Sequence, residues 1–102
     1  MKRVYIAHAL SGDWAGGVAA AYAAARAGYM PIVPYVLMDG ILDDTNPEER
    51  ALGMKLDIDQ LRACDEIWLC GERVSAGMRA EWDEAHAARL VVRRFLTLDE
   101  VP

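Results

Sequence analysis

No apolar run in this sequence approaches the length of a membrane span. The short run near its start, inside MKRVYIAHAL, meets Asp13 without a cleavage-like site, so no signal peptide is expected either. Basic residues are in the minority, 11 Lys and Arg against 16 Asp and Glu, for a formal net charge of −5. That balance argues against a partner of polymeric nucleic acid, which needs a broad basic surface. It leaves room for a small anion, which responds to local donors. Cysteine is scarce. Cys64 and Cys70 have no metal-ligand spacing and fall in core-like segments, and they read as reduced, buried thiols of a cytoplasmic protein. No GxGxxG fingerprint is present, so a dinucleotide is not expected. No lysine follows Lys55, and the third strand ends in Cys70-Gly71-Glu72, which disfavours a receiver-like domain.

What is present alternates. Val4 to Ala7 reads as a strand, bounded by Lys2-Arg3 and Ser11-Gly12-Asp13. Trp14 to Ala27 is an alanine-rich helix, with Val18, Ala21, Tyr22 and Ala25 at helical spacing, Asp13 as its cap and Gly28 as its stop. Pro31 to Tyr35 is a second strand. Val36 to Thr45 keeps no period and reads as a long loop. Asn46, Pro47 and Glu49 then open a helix running to about Ala63 with an Asn-x-x-Glu capping pattern. Glu66 to Cys70 is a third strand, Ser75 caps a helix from Ala76 to about Ala88, Leu90 to Arg93 is a fourth strand, and Thr97 to Pro102 is a polar tail. This order predicts one α/β domain over residues 1–102, a Rossmann-like or flavodoxin-like three-layer sandwich on a parallel four-stranded sheet in the order 2-1-3-4. The ligand site is expected outside the carboxyl ends of the strands, in the loops after strands one and three. A domain of this size buries a modest share of its surface, so a homodimer or larger homo-oligomer is expected.

Two carboxylates stand out on the helical wheels. In helix 47–63 the apolar stripe is Ala51, Met54, Ile58 and Leu61; Asp57 lies at its edge and Asp59 points to solvent. In helix 76–88 the inward stripe is Gly77, Met78, Ala85 and Ala88, with Glu81 at its centre and Arg79, Asp83 and His86 opposite. A glutamate among small inward residues is turned into a pocket, paired with an arginine, or placed inward only because the wheel is off by one residue. Ser75 and Gly77 at the helix start offer donors to an anion. The first loop, His8 to Asp13 with Ser11 and Gly12, suits a phosphate or a sugar. Trp14 could stack on a base or pack in the core. Trp68 reads as core, His8 as a strand-end residue with a local hydrogen bond or a ligand contact, and His86 as surface.

These segments resemble the nucleoside 2-deoxyribosyltransferase superfamily, including its branch of 2'-deoxynucleoside 5'-phosphate N-hydrolases. Tyr5-Ile6-Ala7 and the small-residue loop after it look like the family's first strand and loop. Asp57 to Asp65 looks like its D-x-x-x-L-x-x-x-D helix end, and Ser75 to Glu81 like its S-x-G-x-x-x-E element. The stretch Asp43 to Arg50 resembles short uncharacterised bacterial and phage proteins associated with the superfamily. The resemblance implies Glu81 as nucleophile at the anomeric carbon of a (deoxy)ribosyl group and Asp57 as the residue that assists the departing base or holds the sugar. It implies Ser75 and the Gly77 amide at a 5'-phosphate, and Tyr5, His8, Ser11 and Gly12 among the substrate contacts. Two departures accompany it: Ala9 stands where the family's loop usually has a polar residue, and Thr97–Pro102 has little of the family's C-terminal contribution to a neighbouring subunit.

The expected function is therefore an N-glycosidase or deoxyribosyltransferase acting on a nucleoside or nucleoside 5'-monophosphate, with no metal and no organic cofactor, and without a membrane or nucleic-acid polymer as partner. The competing expectation is a non-catalytic nucleotide-binding or interaction module on the same fold, with Glu81 held in an ion pair.

Overall fold

The computed structural model describes residues 1–9, 17–34 and 41–102. Its elements are β1 (Arg3–His8), α1 (Val18–Arg26), β2 (Met30–Ile32), α2 (Pro47–Arg62), β3 (Glu66–Cys70), α3 (Ala76–Ala87) and β4 (Val91–Phe95), followed by a 3-10 turn at Leu98–Glu100. The four strands form one parallel sheet in the order β2-β1-β3-β4, as the alternation of elements predicts. Val4 pairs with Pro31 on one side and with Glu66 on the other, and Glu66 in turn with Val91. β1 and β3 are the central strands and their apolar residues are buried on both faces, as a doubly covered parallel sheet requires.

The strand alternation splits the core in two. Tyr5, Ala7, Ile67 and Leu69 face α2 and α3, and pack with Leu61, Met78 and Ala85. Val4, Ile6, Trp68 and Cys70 face α1, and pack with Ala20, Ala24 and Phe95. Trp68 lies edge-on to Tyr29 and to Phe95, with centroids 5.0 and 5.2 Å apart. Its Nε1–H donates to Glu66 at 2.9 Å; Glu66 is almost fully buried and also faces Arg93 at 3.6 Å and Lys2 at 3.8 Å.

Several local readings change. The face of α1 on the sheet is Ala20 and Ala24, while Val18 and Tyr22 are exposed, because small side chains let the helix approach the strands closely. α1 begins at Val18 behind Gly17 at φ 83°, and the expected start at Trp14 and cap at Asp13 lie outside the described residues. β2 is shorter than expected, and β4 lies later, at Val91–Phe95. In α2 only Gly53 and Leu61 are buried; Ala51 and Met54 are exposed, so the expected stripe reaches the core only at its C-terminal half, through Ile58 and Leu61. In α3 the buried residues are Met78 and Ala85, and Trp82 packs beside them where Gly77 and Ala88 were expected. The tail turns back, and Val101 packs against the α1-side core.

The helix starts hold as read. Asn46 Oδ1 accepts from the Glu48 and Glu49 amides at 2.9 and 3.2 Å, and Ser75 Oγ from the Met78 amide at 3.2 Å. The Glu49 carboxylate reaches the Asp43 amide at 3.4 Å instead of closing a reciprocal box. Cys64 and Cys70 are buried free thiols, and burial pushes them up to about 11 and about 12, out of the reactive range. Among the described residues no helix is long and apolar enough to cross a membrane.

Candidate functional site

A cavity of about 420 Å³ opens where the carboxyl end of β1 meets the N-terminal part of α3 and the middle of α2. Ile6, Ala7 and His8 line it from β1, Met54 and Asp57 from α2, and Ser75, Gly77, Met78 and Glu81 from the α3 side. This is the loop cluster after strands one and three where the sheet topology leads a ligand site to be expected.

Glu81 sits on the second turn of α3 and is half-buried. Its Oε2 accepts a hydrogen bond from the hydroxyl of Tyr5, a fully buried side chain of β1. Burial pushes Glu81 up to about 7; the Tyr5 bond pulls the other way, and the Asp57 charge adds to the rise. Tyr5 itself is raised well above the ordinary phenol range, first by burial and then by the Glu81 charge, so it acts as donor and stays neutral. Asp57 is half-buried, and its Oδ1 is sealed from solvent with no hydrogen-bond partner among the described residues. Burial alone lifts its pKa to about 6. Two carboxyls on one cavity, both tuned toward neutrality, are the raw material of acid–base or nucleophilic chemistry.

The loop that carries Ser75 is fixed from behind. Arg94, on β4, donates to the carbonyls of Leu69, Gly71 and Glu72, with the Leu69 and Glu72 contacts at 3.2 and 2.9 Å. These bonds hold the β3–α3 connection in one place, and with it the mouth of the cavity. His8 Nδ1 lies 3.1 Å from the Ala9 carbonyl, the local bond expected of a strand-end histidine, while its ring also lines the cavity. Behind that ring lies Gly17: a Cβ there would come within 2.7 Å of His8, at a φ of 83° that L side chains rarely adopt. Gly17→Ala is therefore expected to cost about 1–3 kcal/mol, read by urea unfolding. A cost near zero would mean that the His8 ring simply swings aside.

Of the residues singled out in the sequence, Glu81, Asp57, His8, Ser75 and Gly77 meet on this cavity, and Tyr5 supports it through Glu81. Ser11, Gly12 and Trp14 lie outside the described residues. Sequence reasoning missed Arg50, Arg73 and Asp44, which also line the cavity. Arg50 could have been found: residues 50, 54 and 57 fall on one side of α2, so placing Asp57 inward places Arg50 beside it. Arg73 lies in a loop, where no periodicity applies.

A family model described as a domain of unknown function, DUF7768, matches residues 2–95. No curated protein matches the chain. Among solved structures, the chain is similar to a 2-deoxyribosyltransferase from the psychrotolerant bacterium Bacillus psychrosaccharolyticus, with a TM-score of 0.78 and 15% identity over 92% of this chain and 72% of that one. At that identity the likeness establishes the fold.

Proposed function

We propose that this chain, which belongs to the DUF7768 family, cleaves the N-glycosidic bond of a nucleoside or nucleoside 5'-monophosphate by attack of Glu81 on the anomeric carbon. The observation that carries the proposal is the Glu81 carboxylate on the cavity wall, held by a tyrosine hydroxyl rather than by a cation, with Asp57 near enough to raise its pKa. The fold shared with a 2-deoxyribosyltransferase supports it.

The chemistry follows from the two environments. Tyr5 occupies Oε2 of Glu81, which leaves Oε1 for the sugar. As the C1'–N bond breaks, its electron pair leaves with the base, and the oxocarbenium-like centre is stabilised by the carboxylate and captured as a glycosyl ester. Protonated Asp57 gives its proton to the departing base. Water then attacks C1', the ester C1'–O bond breaks and returns its pair to Glu81, and the water's proton goes to the Asp57 carboxylate. A second base in place of water gives transfer. The competing reading, a non-catalytic binding module, expects ligand-dependent stabilisation without base release and Glu81 in an ion pair; among the described residues Glu81 makes no ion pair and accepts from Tyr5 instead.

Incubation with a panel of nucleosides and 5'-monophosphates, read by free-base release, tests the proposal. Absence of turnover across the panel overturns it. The reacting form has Glu81 ionised and Asp57 protonated. It is the minor of the two singly protonated forms, because Asp57 is the stronger acid. The pair therefore predicts a low, narrow bell-shaped rate profile whose limbs, near 6 and 7, belong to the pair. Tyr5→Phe removes the one interaction that lowers the Glu81 pKa. It is expected to move the Glu81 limb upward and to cut the rate at pH 7 by about tenfold. An unmoved profile in Tyr5→Phe would show that this hydroxyl does not govern the reacting carboxylate.

A further inference from the structure

We propose that Arg94, which lies on the edge strand β4 and outside the cavity lining, is a positioning residue for the reaction proposed above. Its guanidinium fixes the β3–α3 connection, and so fixes the rim that holds the substrate over Glu81. The inference rests on that reading of the cavity.

The connection has little of its own to hold it. β3 ends at Cys70 and α3 begins at Ala76, and Arg73, Ser75, Ala76 and Gly77 all line the cavity. The chain leaves the strand through Gly71 at φ 94°, a conformation that glycine adopts freely. Among the described residues the side chains of Glu72 and Arg73 make no hydrogen bond or ion pair. Val74 packs on the core beneath. The remaining bonds come from β4. The Gly71 amide donates to the Phe95 carbonyl at 2.9 Å, and Arg94 donates to three successive acceptors, the carbonyls of Leu69, Gly71 and Glu72.

Arg94 is placed to do this and nothing else. Its Cα pairs with Leu69 in the sheet, so its base is as rigid as the strand. It makes no ion pair among the described residues, whereas Arg93 beside it faces Glu66. The three acceptors run from the strand end into the turn, and one planar, charged fork spans them. A lysine ammonium is a point charge and cannot span them in the same way. The nucleophile is held separately. Met78 and Ala85 anchor α3 in the core, and Tyr5 holds the Glu81 carboxylate. Loss of the Arg94 grip therefore loosens the rim and leaves Glu81 in place. The loss falls on KM more than on kcat, and the two carboxyls keep the surroundings that set their titration.

The experiment compares Arg94→Ala and Arg94→Lys with the wild type, each at a temperature where circular dichroism shows it folded. Steady-state kinetics use the fastest substrate of the nucleoside and monophosphate panel. Amide hydrogen exchange follows the Gly71 amide, bonded to Phe95, and the Met78 amide, bonded to Ser75. Arg94→Ala is expected to raise KM by about tenfold or more, to change kcat by less than about threefold, and to keep both limbs of the pH profile. Arg94→Lys should lose less. Millimolar guanidinium chloride should restore part of the Arg94→Ala loss, and urea at the same concentration none. Exchange in Arg94→Ala should quicken at those two amides and stay unchanged in β1 and α2. A KM unchanged in both variants overturns the positioning role and leaves the glycosidase reading standing. So does a loss that guanidinium does not reverse and that comes with faster exchange throughout the chain. If Arg94→Ala does not fold, Arg94→Lys decides by the same KM and exchange measurements. Should no substrate release base, the glycosidase reading falls and exchange decides the role of Arg94. Quickening confined to the two rim amides upholds its grip on the rim, and unchanged or uniformly faster exchange overturns it.

Discussion

Glu81→Gln is expected to lose base release by at least about a thousandfold and, at the same time, to melt higher than the wild type at pH 8. The two effects have one cause. The carboxylate must be ionised to attack, and the fold penalises that ionised form by burying it. The folded protein holds the Glu81 proton up to about 7 against 4.5 for the free side chain, and the Asp57 proton up to about 6 against 3.8. Between those limits the native state binds more protons than the unfolded chain, so these two groups make stability fall as pH rises. They contribute in full below the unfolded values, and the contribution is gone above the folded ones. Glutamine cannot ionise, yet still accepts from Tyr5. The variant should gain roughly 1–2 kcal/mol over the wild type at pH 8 and nothing at pH 4, at about 4–8 °C of melting temperature per kcal/mol. Melting curves at both pH values, with initial rates beside them, check this. Wild-type activity in Glu81→Gln removes the proposed nucleophile. An equal melting temperature at pH 8 removes the claim that its charge is costly.

Trp68→Ala is expected to be the most damaging single change to the fold. Trp68 is fully buried in a central strand, contacts Tyr29 and Phe95 edge-on and ties its indole N–H to the buried Glu66. Truncation empties the middle of the α1-side core and costs about 3–5 kcal/mol. The whole domain is held by only about 5–15 kcal/mol. The variant should unfold in urea at a much lower midpoint, or populate unfolded chain at 37 °C. Trp68→Phe keeps most of the volume and should lose less than half as much. A loss below about 1 kcal/mol in Trp68→Ala would mean that this core collapses to fill the space. Glu81 is on the other side of the sheet, so Trp68→Phe should leave the pH profile of any turnover in place.

How much of this was legible in the linear chain differs by element. Strands one and three were plain, because continuous apolar runs bounded by charge and glycine have few other solutions in an alternating α/β sequence. The starts of α2 and α3 were plain because a cap is a local device: Asn46 and Ser75 satisfy amides two or three residues away. Faces were less legible. Alanine has no preference strong enough to orient α1, and the stripe read on α2 assumed that a helix is covered along its length, whereas Met54 stands beside a cavity. Asp57 and Glu81 could be placed toward an interior, yet the hydrogen bond between Tyr5 and Glu81 joins residues 76 apart in sequence and no pattern announces it.

The sequence alone determined the order of elements, the capped helix starts and the two inward carboxylates, because each depends on residues within a few turns or a strand of one another, and the strict alternation of strand and helix then left a parallel sheet as the arrangement to expect. The tertiary structure alone decided that those carboxylates share one cavity, that a buried tyrosine holds one of them, and that Arg50 and Arg73 face the same space. Those facts depend on burial and on distances between segments far apart in the chain, and such distances exist only once the sheet has brought the segments together.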